Sequence, residues 1–285
     1  GEEPLQPYGV CNLGSLNLAV FVNENGDLDY DSLFEHAKVA TRFLDNVIDG
    51  DIYIFEGIRE TQLNGERRIG LGTMGLGDAL IKMKIRYGSD ESVEVIEKIY
   101  QIIRDAAFEV SSDIALEESS FPKFDKEKYL QGAFIRGLPE KIRKKIIKQG
   151  IRNSVLLMQA PTGSTSLMSG VTSGIEPVYE FSYLRKDRIG EHKIYHPLLQ
   201  AWKDANPGEE VPAYFVSSSD LGPEDHLKVQ AAVQKYVDAS ISKTVNAPKS
   251  HTIDDVKTHN MSPYDFGLKG VTYMRDGSRE GVISR

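Results

Sequence analysis

Apolar residues recur along this chain in three rhythms, and each predicts a different kind of element. Spacings of three and four residues mark helices. Leu33, Ala37, Ala40, Leu44 and Val47 fall on one face of a helix over 31–49, with Asp31 as its N-cap. Val93, Ile96, Tyr100, Ile103, Ala107, Val110 and Ile114 mark a longer helix over 92–118, stopped by Phe121-Pro122. A basic helix is predicted over 139–149, with Gly150 just past its end, and a further helix over 224–242. Short unbroken apolar runs mark strands buried on both faces, at 154–158 (SVLLM) and at 271–274. Residues 8–22 hold Val- and Leu-rich runs broken by glycine, and read as a strand entering a turn, then more extended or helical chain. Asn25-Gly26-Asp27 is a turn, and 207–210 an exposed loop. Residues 52–65 have no period and read as loop with a short extended piece. Strands that alternate with helices predict an α/β architecture.

Composition narrows what such a fold does. The 285 residues suit one large domain or two ordinary ones, and 40% hydrophobic content supplies a sizeable core. Lys and Arg total 34 against 42 Asp and Glu, a net charge of −8, which argues against general binding to nucleic acid or an anionic membrane. The one cysteine, Cys11, excludes an intramolecular disulfide and any cysteine-built zinc or iron–sulfur site. It also fits a reducing, cytoplasmic setting. No apolar run is long enough to span a membrane. The first residues, Gly1-Glu2-Glu3-Pro4-Leu5, have no initiator Met and no signal-peptide pattern, so the chain is expected to start inside something larger.

Several patterns have ordinary readings. Gly70-Leu71-Gly72-Thr73-Met74-Gly75 matches G-x-G-x-x-G, but Gly65-Glu66-Arg67-Arg68-Ile69 before it is no buried strand. The glycines are therefore read as close packing at a loop-to-helix start. His192 and His196, four apart, lack a third ligand, and no metal site is expected. Residues 136–152 hold seven basic residues and one acid, read as a solvated outer helix with one packed face. Glu2 and Glu3 alone are solvated terminal charges, and Cys11 alone is a small buried hydrophobe.

Ala160-Pro161-Thr162-Gly163-Ser164-Thr165-Ser166 is different. It follows directly on the apolar run, turns at Gly163 and places four hydroxyls within five residues. A strand ending in such a turn offers N–H groups and hydroxyls to one point, as in a phosphate cradle. It lacks the lysine of a P-loop, and a plain loop is the competing reading.

Together these pieces resemble the catalytic large chain of ribonucleotide reductase, most closely the adenosylcobalamin-dependent (class II) type. The resemblance rests on Gly1-Glu2, Pro4-Leu5, Cys11-Asn12-Leu13-Gly14-Ser15-Leu16-Asn17-Leu18, Ile69-Gly70-Leu71-Gly72, Met74-Gly75-Leu76 and Arg152-Asn153-Ser154. It continues through residues 160–166, Ser173-Gly174-Ile175-Glu176-Pro177, Ser242-Lys243-Thr244-Val245-Asn246, Gly267-Leu268-Lys269-Gly270-Val271-Thr272 and Arg275-Asp276-Gly277-Ser278-Arg279. These motifs span nearly the whole chain in order.

The resemblance implies the second half of a ten-stranded α/β barrel. Residues 1–285 would be the C-terminal part of the catalytic barrel domain. Gly1 and Glu2 would end the Asn-Pro-Cys-Gly-Glu active-site loop. The thiyl cysteine, the first half-barrel and the effector region would lie upstream, and the tail with its cysteine pair beyond Arg285. In that chemistry Glu2 is the general base on the 3′-hydroxyl. Cys11 is one of two thiols that reduce the 2′ position. Gly1, Glu2 and Pro161, Thr162, Gly163, Ser164, Thr165 and Ser166 hold the substrate, and 173–177 line the barrel near substrate or cofactor. The implied cofactor is adenosylcobalamin. The implied partners are a ribonucleoside diphosphate or triphosphate, the N-terminal half or a companion subunit, and a thioredoxin-type reductant, in a homo-oligomer of the full enzyme. A class I enzyme fed by a metal-containing radical subunit and a non-enzymatic nucleotide-binding protein are the alternatives.

Overall fold

The computed structural model describes residues 3–187 and 190–277, apart from the side chains of 184–192 and 258–262. Its frame is a run of parallel extended segments. β1 (Leu13–Asn17) pairs with β2 (Gly70–Met74) in parallel, Leu13 opposite Gly70. A parallel bridge between Leu71 and Leu157 adds the segment 155–159, and a second between Gln159 and Ile241 adds 239–242. That segment runs on into β5 (Thr244–Ala247), which pairs in parallel with β6 (Thr272–Arg275). Five parallel segments thus stand side by side in chain order. No pairing joins β6 back to β1 among the described residues, so the sheet is open there. The α/β architecture is as expected, and the described residues form no closed barrel.

Helices fill the connections. α1 (Tyr30–Gly50) follows β1. α2 (Glu56–Thr61) and a π-helical turn, Gln62–Glu66, lead into β2. α3 (Leu76–Lys82), α4 (Asp90–Glu117), α5 (Lys126–Gln131), α6 (Ala133–Arg136) and α7 (Glu140–Gln149) separate β2 from segment 155–159. The short α8 (Gly163–Ser169), an antiparallel hairpin of β3 (Ser182–Asp187) and β4 (Gly190–Tyr195), α9 (Pro197–Ala205) and α10 (Pro223–Gln234) precede β5. α11 (Ile253–Asp265) separates β5 from β6. α4 is the central pillar, packed on α1, α7 and α10. Its Ile96, Tyr100, Ile103, Ala107, Val110 and Ile114 are all buried, as their spacing predicts. The Ser89 side chain accepts from the Ser92 N–H and caps its start. No described helix is long and apolar enough to cross a membrane.

The structure revises several expectations. α1 is capped by Asp29 rather than Asp31, and its buried stripe ends on Ile48, leaving Val47 exposed. Thr41 and Asp45 lie buried in the same stripe. Residues 52–65 contain helix instead of an extended piece. Residues 70–74 form a fully buried strand rather than a loop-to-helix start. Its glycines do serve close packing, because a Cβ on Gly72 would stand 2.3 Å from the Met158 carbonyl oxygen. The helix predicted to reach 242 ends at Gln234. There the Gln234 Nε2 donates to the carbonyls of Val237 and Ala239, turning the chain so that 239–242 enters the sheet. β6 alternates exposed and half-buried residues, since it lies at the open end of the run, and is not the buried strand predicted for 271–274. The exposed loop at 207–210 and the basic helix ended by Gly150 (φ 84°) are as predicted. Lys141 and Lys145 of α7 meet Glu109 and Asp113 of α4, which suits an outer helix with one packed face.

Candidate functional site

The candidate loop opens at the carboxyl end of segment 155–159. Gln159 locks that end in place. Its buried amide donates to the Thr73 carbonyl at 2.6 Å, and its Oε1 accepts from the Thr73 N–H at 3.2 Å and hydroxyl at 3.1 Å. The Tyr100 hydroxyl joins the same cluster from α4. Buried polar groups so fully met hold strand spacing rigidly. The chain then turns through Pro161 and Thr162, whose φ of 56° is left-handed, into α8.

The four hydroxyls of the loop divide into two roles. Thr162 Oγ1 accepts from the Gly174 N–H at 2.8 Å. Ser166, fully buried, exchanges a hydrogen bond with Ser173 at 2.8 Å. These two face inward and tie the loop to the turn at 173–174. Gly163, Ser164 and Thr165 are exposed. The first intrahelical bond runs from the Ser166 N–H to the Thr162 carbonyl, so the N–H groups of Gly163, Ser164 and Thr165 come before it at the helix start. The Thr165 hydroxyl turns back to donate to the Thr162 carbonyl at 3.2 Å, which leaves the N–H groups of these exposed residues and the Ser164 hydroxyl as the candidate donors. An anion such as a phosphate suits them.

The loop borders an open cleft of about 580 Å³, lined also by residues 13–15 of β1 and by Met74 at the end of β2. Cys11 lies two residues before β1 and is exposed, not a buried hydrophobe. Met168, 88% exposed, adds apolar surface to the cleft. Gly1 and Glu2 lie outside the described residues. The neighbouring Glu3 is not a solvated charge; its side chain is buried and ion-paired with Arg68.

The wall behind the loop is held from β2's far end. The Gly75 N–H donates to the Thr172 carbonyl, the Gly77 N–H to Thr172 Oγ1, and the Thr172 N–H to Asp78 Oδ2. Burial pushes the Asp78 carboxyl up, but hydrogen bonds from His196 and Thr172 outweigh it and hold it below the ordinary range. The Tyr87 hydroxyl donates to the Ile175 carbonyl at 2.6 Å. His196 therefore serves Asp78, while the side chain of His192 lies outside the described residues. No group of three or more His, Cys, Asp or Glu that could hold a metal ion occurs among the described residues.

A second cleft of about 400 Å³ opens past the ends of β5 and β6, with Tyr179, Ser218, Asn246, Lys249 and Asp276 on its walls. Asn246 Nδ2 donates to the Ser218 hydroxyl at 2.6 Å. This set of hydroxyl, amide and charged groups gives the cleft polar partners for a small ligand.

Sequence reasoning missed Gln159, Thr73, Tyr100, Thr172 and Asp78. Gln159 carried one signal: a polar residue ending an otherwise apolar strand. The others carry none, since their roles arise only when distant segments meet.

Comparison with known proteins gives one consistent picture. Residues 2–274 match the family described as ribonucleotide reductase, barrel domain. The chain is 37% identical over 305 residues to a vitamin B12-dependent ribonucleoside-diphosphate reductase of Mycobacterium tuberculosis, covering 99% of this chain and 42% of that protein. It is 33% identical to the protein of the same name from Thermoplasma acidophilum, covering 98% of this chain and 37% of that one. A ribonucleoside-diphosphate reductase subunit alpha of Chlamydia muridarum is 35% identical over 65% of this chain and 20% of its own length. The chain thus spans about two fifths of the B12-dependent relatives it matches. With its parallel α/β frame, its hydroxyl loop and a family match over nearly its whole length, the chain belongs to the ribonucleotide reductase family and carries sequence of its barrel domain.

Proposed function

We propose that this chain takes part in reducing ribonucleotides to 2′-deoxyribonucleotides, as the second half of a ten-stranded catalytic barrel. One observation carries the reading: Thr162, Gly163 and Thr165 of the loop line the same cleft as β1 residues 13–15, which follow an exposed Cys11. The N–H groups of 163–165 and the Ser164 hydroxyl bind the substrate phosphates, while Pro161, Thr162 and Ser166 shape the loop. Glu2 takes the proton of the 3′-hydroxyl, a task that suits a carboxylate held beside the sugar. Cys11 and a second thiol outside this chain supply two electrons and two hydrogens. The 2′-oxygen leaves as water and the two sulfurs end as a disulfide, returned to thiols by a thioredoxin-type reductant.

The names of the Mycobacterium tuberculosis and Thermoplasma acidophilum relatives specify vitamin B12 and a ribonucleoside diphosphate. This supports adenosylcobalamin as cofactor and a diphosphate over a triphosphate. When bound, that cofactor supplies the organic radical that starts the reaction. Tyr179, Ser218 and Asn246 of the second cleft would hold its nucleoside arm. The subunit-alpha relatives cover less of the chain, which favours this reading over a metal-containing radical subunit. An N-terminal half or companion subunit would complete the barrel on its open side, in an oligomeric cytoplasmic enzyme.

The test is Cys11→Ser in the full protein that carries this sequence. Multiple turnovers should be lost while nucleotide binding survives. Normal steady-state turnover would remove Cys11 from the mechanism.

A further inference from the structure

One buried cation in this molecule has no part in the chemistry above. The Lys243 side chain is fully buried just before β5, and its ammonium has three acceptors around it: Glu176 Oε2, His226 Nδ1 at 2.8 Å and the Thr244 carbonyl at 2.7 Å. Glu176 uses its other oxygen, Oε1, to accept the Thr244 N–H at 2.8 Å. One carboxylate thus binds two consecutive residues at the start of a strand.

Glu176 is also the last residue of the turn that carries Ser173 and Gly174. Its own N–H closes that turn on the Ser173 carbonyl at 2.8 Å. Gly174, at φ 51°, sits so close to the Ala160 carbonyl that a Cβ there would stand 3.0 Å away. From this turn the contacts to Ser166 and Thr162 reach the loop itself. An unbroken chain of direct contacts therefore runs from Lys243 through Glu176 and Ser173 to the loop. Neither Lys243 nor Glu176 lines the cleft.

We propose that Lys243 is a positioning residue for the phosphate loop, acting through Glu176 and the 173–174 turn to hold the N–H groups of 163–165 in register. The inference rests on reading that loop as the phosphate site. An ion pair taken out of water adds little net stability compared with apolar packing, because desolvation offsets the attraction. What it does is fix geometry, and an oxyanion-binding loop depends on geometry. Burial pushes the Lys243 ammonium below its ordinary range, and Glu176 opposes that shift.

The test uses Lys243→Met, which keeps the stem and removes the charge, and Glu176→Gln as a second, isosteric variant, both in the full protein that carries this sequence. Affinities for cytidine diphosphate and free cytidine are measured, with amide exchange by mass spectrometry. The expected result is a loss of about tenfold in diphosphate affinity, the scale of one or two lost hydrogen bonds. Cytidine affinity should stay within about twofold. Exchange should rise over 162–175 and stay unchanged over 90–117. If either folded variant binds diphosphate as wild type does, or loses diphosphate and cytidine equally, the positioning role is overturned. A wild-type protein that binds cytidine as well as its diphosphate overturns the phosphate reading itself, and the role of Lys243 falls with it.

Discussion

One stretch of chain, 152–166, begins in a sealed cluster of buried charges and ends at an open cleft. At its start, Arg152 and Asn153 join Arg67 around Asp45 of α1. Arg67 donates to Asp45 at 2.9 Å, Arg152 at 3.2 Å and Asn153 at 2.8 Å, and Asp45 and Arg67 are almost wholly buried. Asp49 adds a second carboxylate to both arginines. At its end, Gly163 and Thr165 border an open cleft. The amino end of the sheet spends its charges on itself, while the carboxyl end keeps its donors for a ligand. Open α/β sheets bind ligands beyond the carboxyl ends of their strands, and this contrast follows the same rule.

Breaking the sealed end should cost most. Asp45→Ala leaves two buried arginines without their shared acceptor and should destabilise the fold by about 3–5 kcal/mol, read by urea unfolding. A change under about 1 kcal/mol would mean that Asp49 and solvent satisfy the cluster unaided. Gly72, packed on the Met158 carbonyl, sets the spacing between β2 and segment 155–159. Gly72→Ala should cost about 1–3 kcal/mol by overpacking, and an unchanged thermal midpoint would contradict that spacing. At the open end, Ser166→Ala removes the bond to Ser173. Stability should fall by only about 1 kcal/mol. Diphosphate affinity should fall with it, and retained affinity would show that the loop holds itself.

The smallest effect is a pH dependence. Asp78 has a folded-state pKa below its unfolded value, so its stabilisation is present above the unfolded value, about 3.9, and is lost as pH falls through the folded one. Amide protection over 171–176, corrected for intrinsic rates, should hold from neutral pH down to about 4 and fail below. Loss already near pH 6 would place the controlling proton elsewhere.

The elements readable from sequence are those whose causes are local. α4 shows its face through spacing alone, and α7 shows its end through Gly150. The 70–74 strand was hidden because two glycines in five residues carry no strand propensity; burial between β1 and Met158 decides it. The end of α10 was hidden because Gln234 bonds forward to carbonyls that only the turn brings near. In the site, the loop at 160–166 stood out by composition, yet the inward ties of Thr162 and Ser166 depend on Ser173 and Gly174. Asp78 and Lys243 act on the loop from across the fold, and spacing carries no trace of such contacts.

Conversion of cytidine diphosphate to its 2′-deoxy product by the full protein that carries this sequence, with and without adenosylcobalamin in the presence of a dithiol, tests the central claim most directly. Deoxynucleotide should form with the cofactor and not without it. No product under either condition, or equal product without the cofactor, would contradict the proposed reaction.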